Sequence, residues 1–145
     1  ATKFVFDYPD GKHDAEALTC DPRSGDLWLA TKVKSGKTRV YRAPAPLPLG
    51  SVLVLQMVAN LELAGDPAVT GGAMAADGSL FVLRTNATAW GWRRAQGAGI
   101  AEALLGEPCA LPVLAEAQGE GVALVTGGIF TVGEGAGATL GLSEF

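Results

Sequence analysis

The stretch that decides the fold is Asp14-Ala15-Glu16-Ala17-Leu18-Thr19-Cys20-Asp21-Pro22-Arg23-Ser24-Gly25-Asp26-Leu27-Trp28-Leu29-Ala30-Thr31. Glu16 to Cys20 reads as a strand of mixed, β-tolerant residues. Asp21 to Asp26 then has turn chemistry: Pro22 fixes φ, Gly25 is free to enter a left-handed conformation, and Asp and Ser side chains can bond nearby backbone. Leu27 to Thr31 is the apolar return strand, so this stretch predicts a hairpin. The plan comes back twice. Thr70 to Ala75, the turn Asp77-Gly78 and Leu80 to Arg84 are the second copy; Gly119 to Leu124, the turn Gly127-Gly128 and Ile129 to Val132 are the third. Between the apolar residues that open the return strands, Leu27 to Leu80 is 53 positions and Leu80 to Ile129 is 49. A period near 50 in a chain of strands is the signature of four-stranded propeller blades.

The rest of the chain fits that frame. Lys3 to Tyr8 alternates as a strand and stops at the turn Pro9-Asp10-Gly11. Thr38 to Arg42, and Ala89 to Arg93, follow the first two hairpins as third strands; Thr139 to Ser143 does the same for the third. Ser51 to Val58 with Leu61 to Leu63 reads as one long, bulged outer strand. Only Gly99 to Leu105 has helical character, enough for one or two turns. A β-sandwich would explain the alternation but not the return of one motif in the same order three times.

The 145 residues are enough for a single domain, and 48% hydrophobic against 18% charged composition excludes a disordered chain. A net charge of −4 argues against a duplex-binding protein that needs many phosphate contacts. No apolar run reaches the length of a membrane helix, and Ala1-Thr2-Lys3 does not open a basic-then-apolar signal segment. Cys20 and Cys109 form no CxxC pair and lie far from the single histidine, which excludes a zinc site and a disulfide framework. Cys20 is expected to be a buried small hydrophobe within its strand.

Counting strands from the axis outward gives an outer strand, two complete blades, and a last blade that stops at its third strand. The chain is therefore expected to be one half-propeller domain, residues 1–145, with blades seeded at about residues 14, 69 and 118. Rings need at least four blades, so three blades' worth of strands predicts self-association: two copies closing a six-bladed ring as a homodimer. In that dimer the N-terminal strand 3–8 of one copy completes the last blade of the other, an exchange at both junctions.

Several motifs together resemble a known family. They are Asp14-Ala15-Glu16-Ala17-Leu18, Asp21-Pro22 with Gly25-Asp26-Leu27, Thr31-Lys32, Val69-Thr70-Gly71-Gly72 with Asp77-Gly78, Arg84-Thr85 and Gln118-Gly119-Glu120. They are similar to the C-terminal half of a family of bacterial six-bladed β-propeller proteins of uncertain activity, over roughly Lys3 to Gly135. The resemblance implies an all-β propeller whose full ring is built from about twice this length of chain. Gly121 and Val122 depart from the Ala and Ile that such proteins tend to carry.

The candidate chemistry sits at the starts of the inner strands. Glu16, Thr70 and Glu120 occupy equivalent positions, with Asp14 and Gln118 two residues earlier on the first and third. Residues two apart on a strand point the same way. A two-copy ring would gather these oxygen ligands at one mouth of the channel, which suits a hard cation such as calcium. The same residues equally suit water and neighbouring backbone, and carboxylates so placed need a partner: Arg84, Lys32, water or a cation. His13 with Asp14 and Glu16 is the one cluster with the residue types for general acid–base work. No Gly-x-Ser-x-Gly elbow occurs. Lys34 to Thr38 lacks the upstream glycine spacing of a phosphate loop, and Gly133 to Gly137 lacks a following helix, so neither reads as a nucleotide site.

The function these features point to is a self-associating propeller scaffold with a cation or small ligand at its axis. A metal-dependent hydrolase of the lactonase or phosphoesterase sort stays open, because fold alone does not choose chemistry. So does a protein- or glycan-binding module that uses the loops Lys32 to Lys37 and Arg93 to Gly99.

Overall fold

A computed structural model describes all 145 residues, as thirteen strands and one short helix. The fold is all-β. β1 (Val5–Asp7) is followed by a four-stranded antiparallel sheet of β2 (Ala15–Cys20), β3 (Leu27–Thr31), β4 (Thr38–Ala43) and β6 (Gln56–Leu61), with β5 (Val52–Val54) between the last two in sequence. The second sheet runs in the order β7 (Val69–Met74), β8 (Leu80–Thr85), β9 (Ala89–Arg93) and β10 (Cys109–Leu111), with α1 (Ile100–Ala103) before its last strand. A third sheet has three strands, β11 (Gly119–Val125), β12 (Gly128–Gly133) and β13 (Leu140–Glu144). No sheet closes on itself.

The three sheets stack face to face, and alternation along each strand explains why. In the first sheet Ala17, Trp28, Ala30 and Val40 share one face. They meet Phe81, Leu83 and Trp92 of the second sheet, and with Val69, Leu61 and Ile100 they form the main core. Trp28 and Phe81 pack edge to face with ring centroids 6.5 Å apart. The other face of the second sheet carries Val82 and Ala89, which pack with Ile129 and Val122 of the third. Each middle face is thus apolar on both sides, which is the reason Phe81-Val82-Leu83 reads as a continuous apolar run.

The turns obey their chemistry. Gly25 lies at φ 78° and its N–H bonds the Asp21 carbonyl, while the Asp21 side chain accepts from the Arg23 N–H and the Ser24 hydroxyl. Gly78 occupies the matching left-handed position at φ 70° in the second hairpin.

Four expectations change. Ser51 to Val58 is not one strand: Val52 and Val54 are exposed, Leu55 turns inward against Tyr41 and Ala43, and the pairing passes from β5 to β6. Leu61 ends β6, and Leu63 lies beyond it as a buried core residue. β10, three residues between Pro108 and Pro112, supplies the second sheet's fourth strand. Cys20 is exposed, as is Cys109. Leu18 and Cys20 stand opposite Leu29 and Leu27 and so share their face, away from the main core.

β1 pairs in parallel with β5 of its own chain, Phe6 opposite Leu53. Phe6 and Tyr8 pack on Tyr41 and Ala43, against the outer part of the first sheet's free face.

Candidate functional site

The first strands of the three sheets, β2, β7 and β11, lie side by side. Each carries an irregularity at the same place: the ladder slips between Ala15 and Ala17, between Val69 and Gly71, and between Gly119 and Gly121. The residues skipped are Glu16, Thr70 and Glu120. They are the extra residues of three equivalent β-bulges, and a bulge re-aims a side chain away from the ladder. The equivalence read from the sequence therefore has a structural cause.

What the three residues do differs. Glu16 takes the Lys32 ammonium on both carboxylate oxygens, at 3.1 and 2.9 Å. Acceptance by Glu16 raises the Lys32 pKa, burial opposes it, and the charges of Glu16, Glu120 and Asp14 add to the rise. Thr70 is buried and donates to the Gly119 carbonyl at 2.6 Å, tying β7 to β11. Glu120 accepts from the Gln118 amide at 3.0 Å, and the same amide nitrogen lies 2.5 Å from Glu134. Asp14 contributes through its backbone, its carbonyl accepting the Lys32 N–H at 2.8 Å. Nowhere do three or more His, Cys, Asp or Glu side chains converge in a way that could hold a metal ion. Lys32 is instead the cation among these carboxylates.

Arg84 is fully buried, and its Nη2 meets Glu116, itself 8% exposed, at 2.5 Å. Burial lowers the arginine pKa, and the Glu116 charge opposes that shift. Thr131 donates to the other Glu116 oxygen at 3.3 Å. Gly119 is obligatory beside this pair, because a Cβ there would fall inside the Arg84 guanidinium. Gln118-Gly119-Glu120 is therefore a motif in which the glycine makes room for an arginine from the neighbouring sheet.

The chain matches no family model and no curated protein.

The hydrogen bond of His13 goes to Asp10. Its Nε2 lies 3.0 Å from Asp10 Oδ1, and its ring is held edge-on by Tyr8, centroids 5.0 Å apart, and tilted against Tyr41. Tyr41, wholly buried, donates its hydroxyl to both Asp10 oxygens, each at 2.9 Å. Burial pushes the Asp10 carboxyl up, but the bonds from His13 and Tyr41 outweigh it and leave the pKa below the ordinary value. Burial and the Asp10 bond together drive the Tyr41 phenol well above its own. The result is a clasp that fastens the N-terminal segment to β4. Asp10 was hidden in the sequence as an ordinary turn residue, since its main partner is 31 positions away.

Two further ion pairs lie nearby, and the first of them bridges the first two sheets. Arg94 Nη1 lies 2.9 Å from both oxygens of Asp21, and Arg42 Nε lies 2.7 Å from Asp26. These pairs flank a cleft of about 500 Å³ floored by Trp28 and Ile100. Every Asp21 and Asp26 oxygen is satisfied within the chain. The Arg94–Asp21 pair ties the second sheet to the first, and the Arg42–Asp26 pair ties β4 to the turn before β3.

Proposed function

We propose that this chain is half of a six-bladed β-propeller, that a second copy closes the ring, and that it serves as a scaffold. The observation that carries the reading is the threefold recurrence of the bulge at Glu16, Thr70 and Glu120 on three first strands lying side by side. Equivalent inner strands around one axis are what propeller blades present, and three blades leave two ends uncovered.

Both ends have apolar character. On the first sheet's free face Leu18 is 61% exposed. On the third sheet's free face Phe130 stands opposite Ala123 and Leu142, and Val132 opposite Leu140; Leu140 and Leu142 are exposed. Contiguous exposed apolar side chains on a sheet face favour burial against a partner. The strand inventory agrees: β13 has one edge paired to β12 and the other free, and β1 has one edge paired to β5 and the other free. β1 also lies on the side of the first sheet where a preceding blade belongs. A second copy would bring its β13 to β1, which then completes a four-stranded blade without leaving its own chain's surface.

Lys32 supplies the counter-charge for Glu16, so the scaffold reading requires neither calcium nor a hydrolytic centre at the axis. The test is the dependence of stability on protein concentration. A chain folded only as a closed pair unfolds at a urea midpoint that rises with protein concentration. A midpoint constant over a hundredfold range would refute the proposal.

A further inference from the structure

The two junctions inside the chain share one contact rule. At the first, forward-facing Ala17 of β2 meets Gly72 of β7; a Cβ on Gly72 would lie 3.2 Å from the Ala17 Cβ. At the second, forward-facing Gly71 of β7 meets Val122 of β11; a Cβ on Gly71 would lie 3.4 Å from Val122 Cγ1 and 2.5 Å from the Glu120 carbonyl oxygen. Counting from the bulges, Ala17, Gly71 and Gly121 are equivalent, and so are Leu18, Gly72 and Val122. Each junction therefore sets the first residue after one bulge against the second residue after the next bulge. The forward residue is small in every copy. The backward residue grows along the series from Gly72 to Val122 to Leu18.

Two members of the series have no partner within the chain. Gly121 is the forward residue of the third sheet, on the face with Val132 and Phe130. Leu18 is the backward residue of the first sheet and projects into solvent. We infer that Gly121 of one copy receives Leu18 of a second copy, at both junctions of the pair. This assignment rests on the ring reading and adds its register. The largest backward residue of the three would then face a forward residue with no side chain. The close approach at the second junction, where Gly71 nears the Glu120 carbonyl, has its counterpart in Gly121 nearing the Glu16 carbonyl of the second copy.

Cysteine cross-linking tests the register. The background is Cys20→Ala with Cys109→Ala, which removes both exposed native thiols, and Val132→Ala, because a Cβ at position 121 would lie 2.6 Å from Val132 Cγ1. In that background Leu18→Cys and Gly121→Cys are combined. Ala17→Cys with Gly72→Cys is the internal control, since its Cβ separation is within a few tenths of an ångström of the disulfide range. On mild oxidation the control should close within one chain, and the Leu18→Cys/Gly121→Cys protein should run as a covalent dimer. Mixing chains that carry only one of the two cysteines should also cross-link, whereas each alone should give at least roughly tenfold less covalent dimer. Leu18→Ala in an otherwise unaltered chain should raise the dimer dissociation constant at least about tenfold. A dimer by sedimentation that does not cross-link while the control does would overturn the register and leave the ring standing. A folded monomer would overturn both.

Discussion

Arg94→Met should expose how strongly the first two sheets are joined by charge. Arg94 keeps only 9% of its side-chain surface exposed, Asp21 3%, and one Arg94 nitrogen bonds both Asp21 oxygens at 2.9 Å. Methionine preserves most of the buried stem and removes the cation, leaving Asp21 with the Arg23 N–H and the Ser24 hydroxyl. Stranding one member of a buried pair costs about 3–5 kcal/mol. The two surviving bonds place this case at the low end, about 3 kcal/mol, or a fall in Tm of roughly 6–12 °C for a chain of this size. Asp21→Asn combined with Arg94→Met should recover most of the loss, because no unpaired charge then remains. The effect has a pH sign. Burial raises the Asp21 pKa, but its hydrogen bonds and the Arg94 charge outweigh burial and hold it below the unfolded value of 3.8. The stabilisation is therefore present above about pH 4 and lost as pH falls through the lower folded pKa. Urea unfolding at fixed protein concentration, at pH 7 and pH 3, is the assay. A loss under about 1 kcal/mol at pH 7, or an equal loss at both pH values, would mean that the Arg94–Asp21 charge pair does not join the sheets.

Three further outcomes follow from the same geometry. Gly71→Ala should lower stability by about 1–3 kcal/mol, read as a lower urea midpoint, since its Cβ would approach the Glu120 carbonyl oxygen to 2.5 Å and one backbone must move. Tyr41→Phe removes the hydroxyl that both Asp10 oxygens accept; it should cost about 1–2 kcal/mol in urea unfolding and raise the Asp10 pKa measured by carboxyl NMR titration. Lys32→Met should cost less than about 1 kcal/mol, the pair with Glu16 being partly exposed. Because Glu16 raises the Lys32 pKa, that contribution is whole below the unfolded value near 10.5 and disappears as pH rises above the folded one, so parent and variant should converge in alkali.

Much of this fold is written in local pattern. Leu27 to Thr31 is a short apolar run bounded by a turn, Gly25 and Gly78 mark the hairpins, and the repeat from Glu16 to Thr70 to Glu120 has a counterpart in three bulges. Other features depend on where partners arrive. A bulge resets alternation: after Glu16, Ala17 faces the neighbouring sheet and Leu18 and Cys20 face away, so Cys20 is exposed although it sits among apolar residues. β10 has three residues bounded by prolines, too few for a periodic signal, and it is a strand because β9 offers an edge. β5 ends where Leu55 finds the pocket beside Tyr41. At the candidate site the residue types that need partners were legible, but their choices were not. Lys32 goes to Glu16 because the bulge turns that carboxylate toward it, while Arg84 goes to Glu116, in the segment leading into β11. His13 goes to Asp10 because Tyr41 has already fixed Asp10 in place.

Sedimentation equilibrium of the 145-residue protein at low micromolar concentration tests ring closure by a second copy most directly. Ring closure predicts a single species of twice 14.8 kDa, with the far-UV signature of strands. A stable, folded species of 14.8 kDa would contradict it.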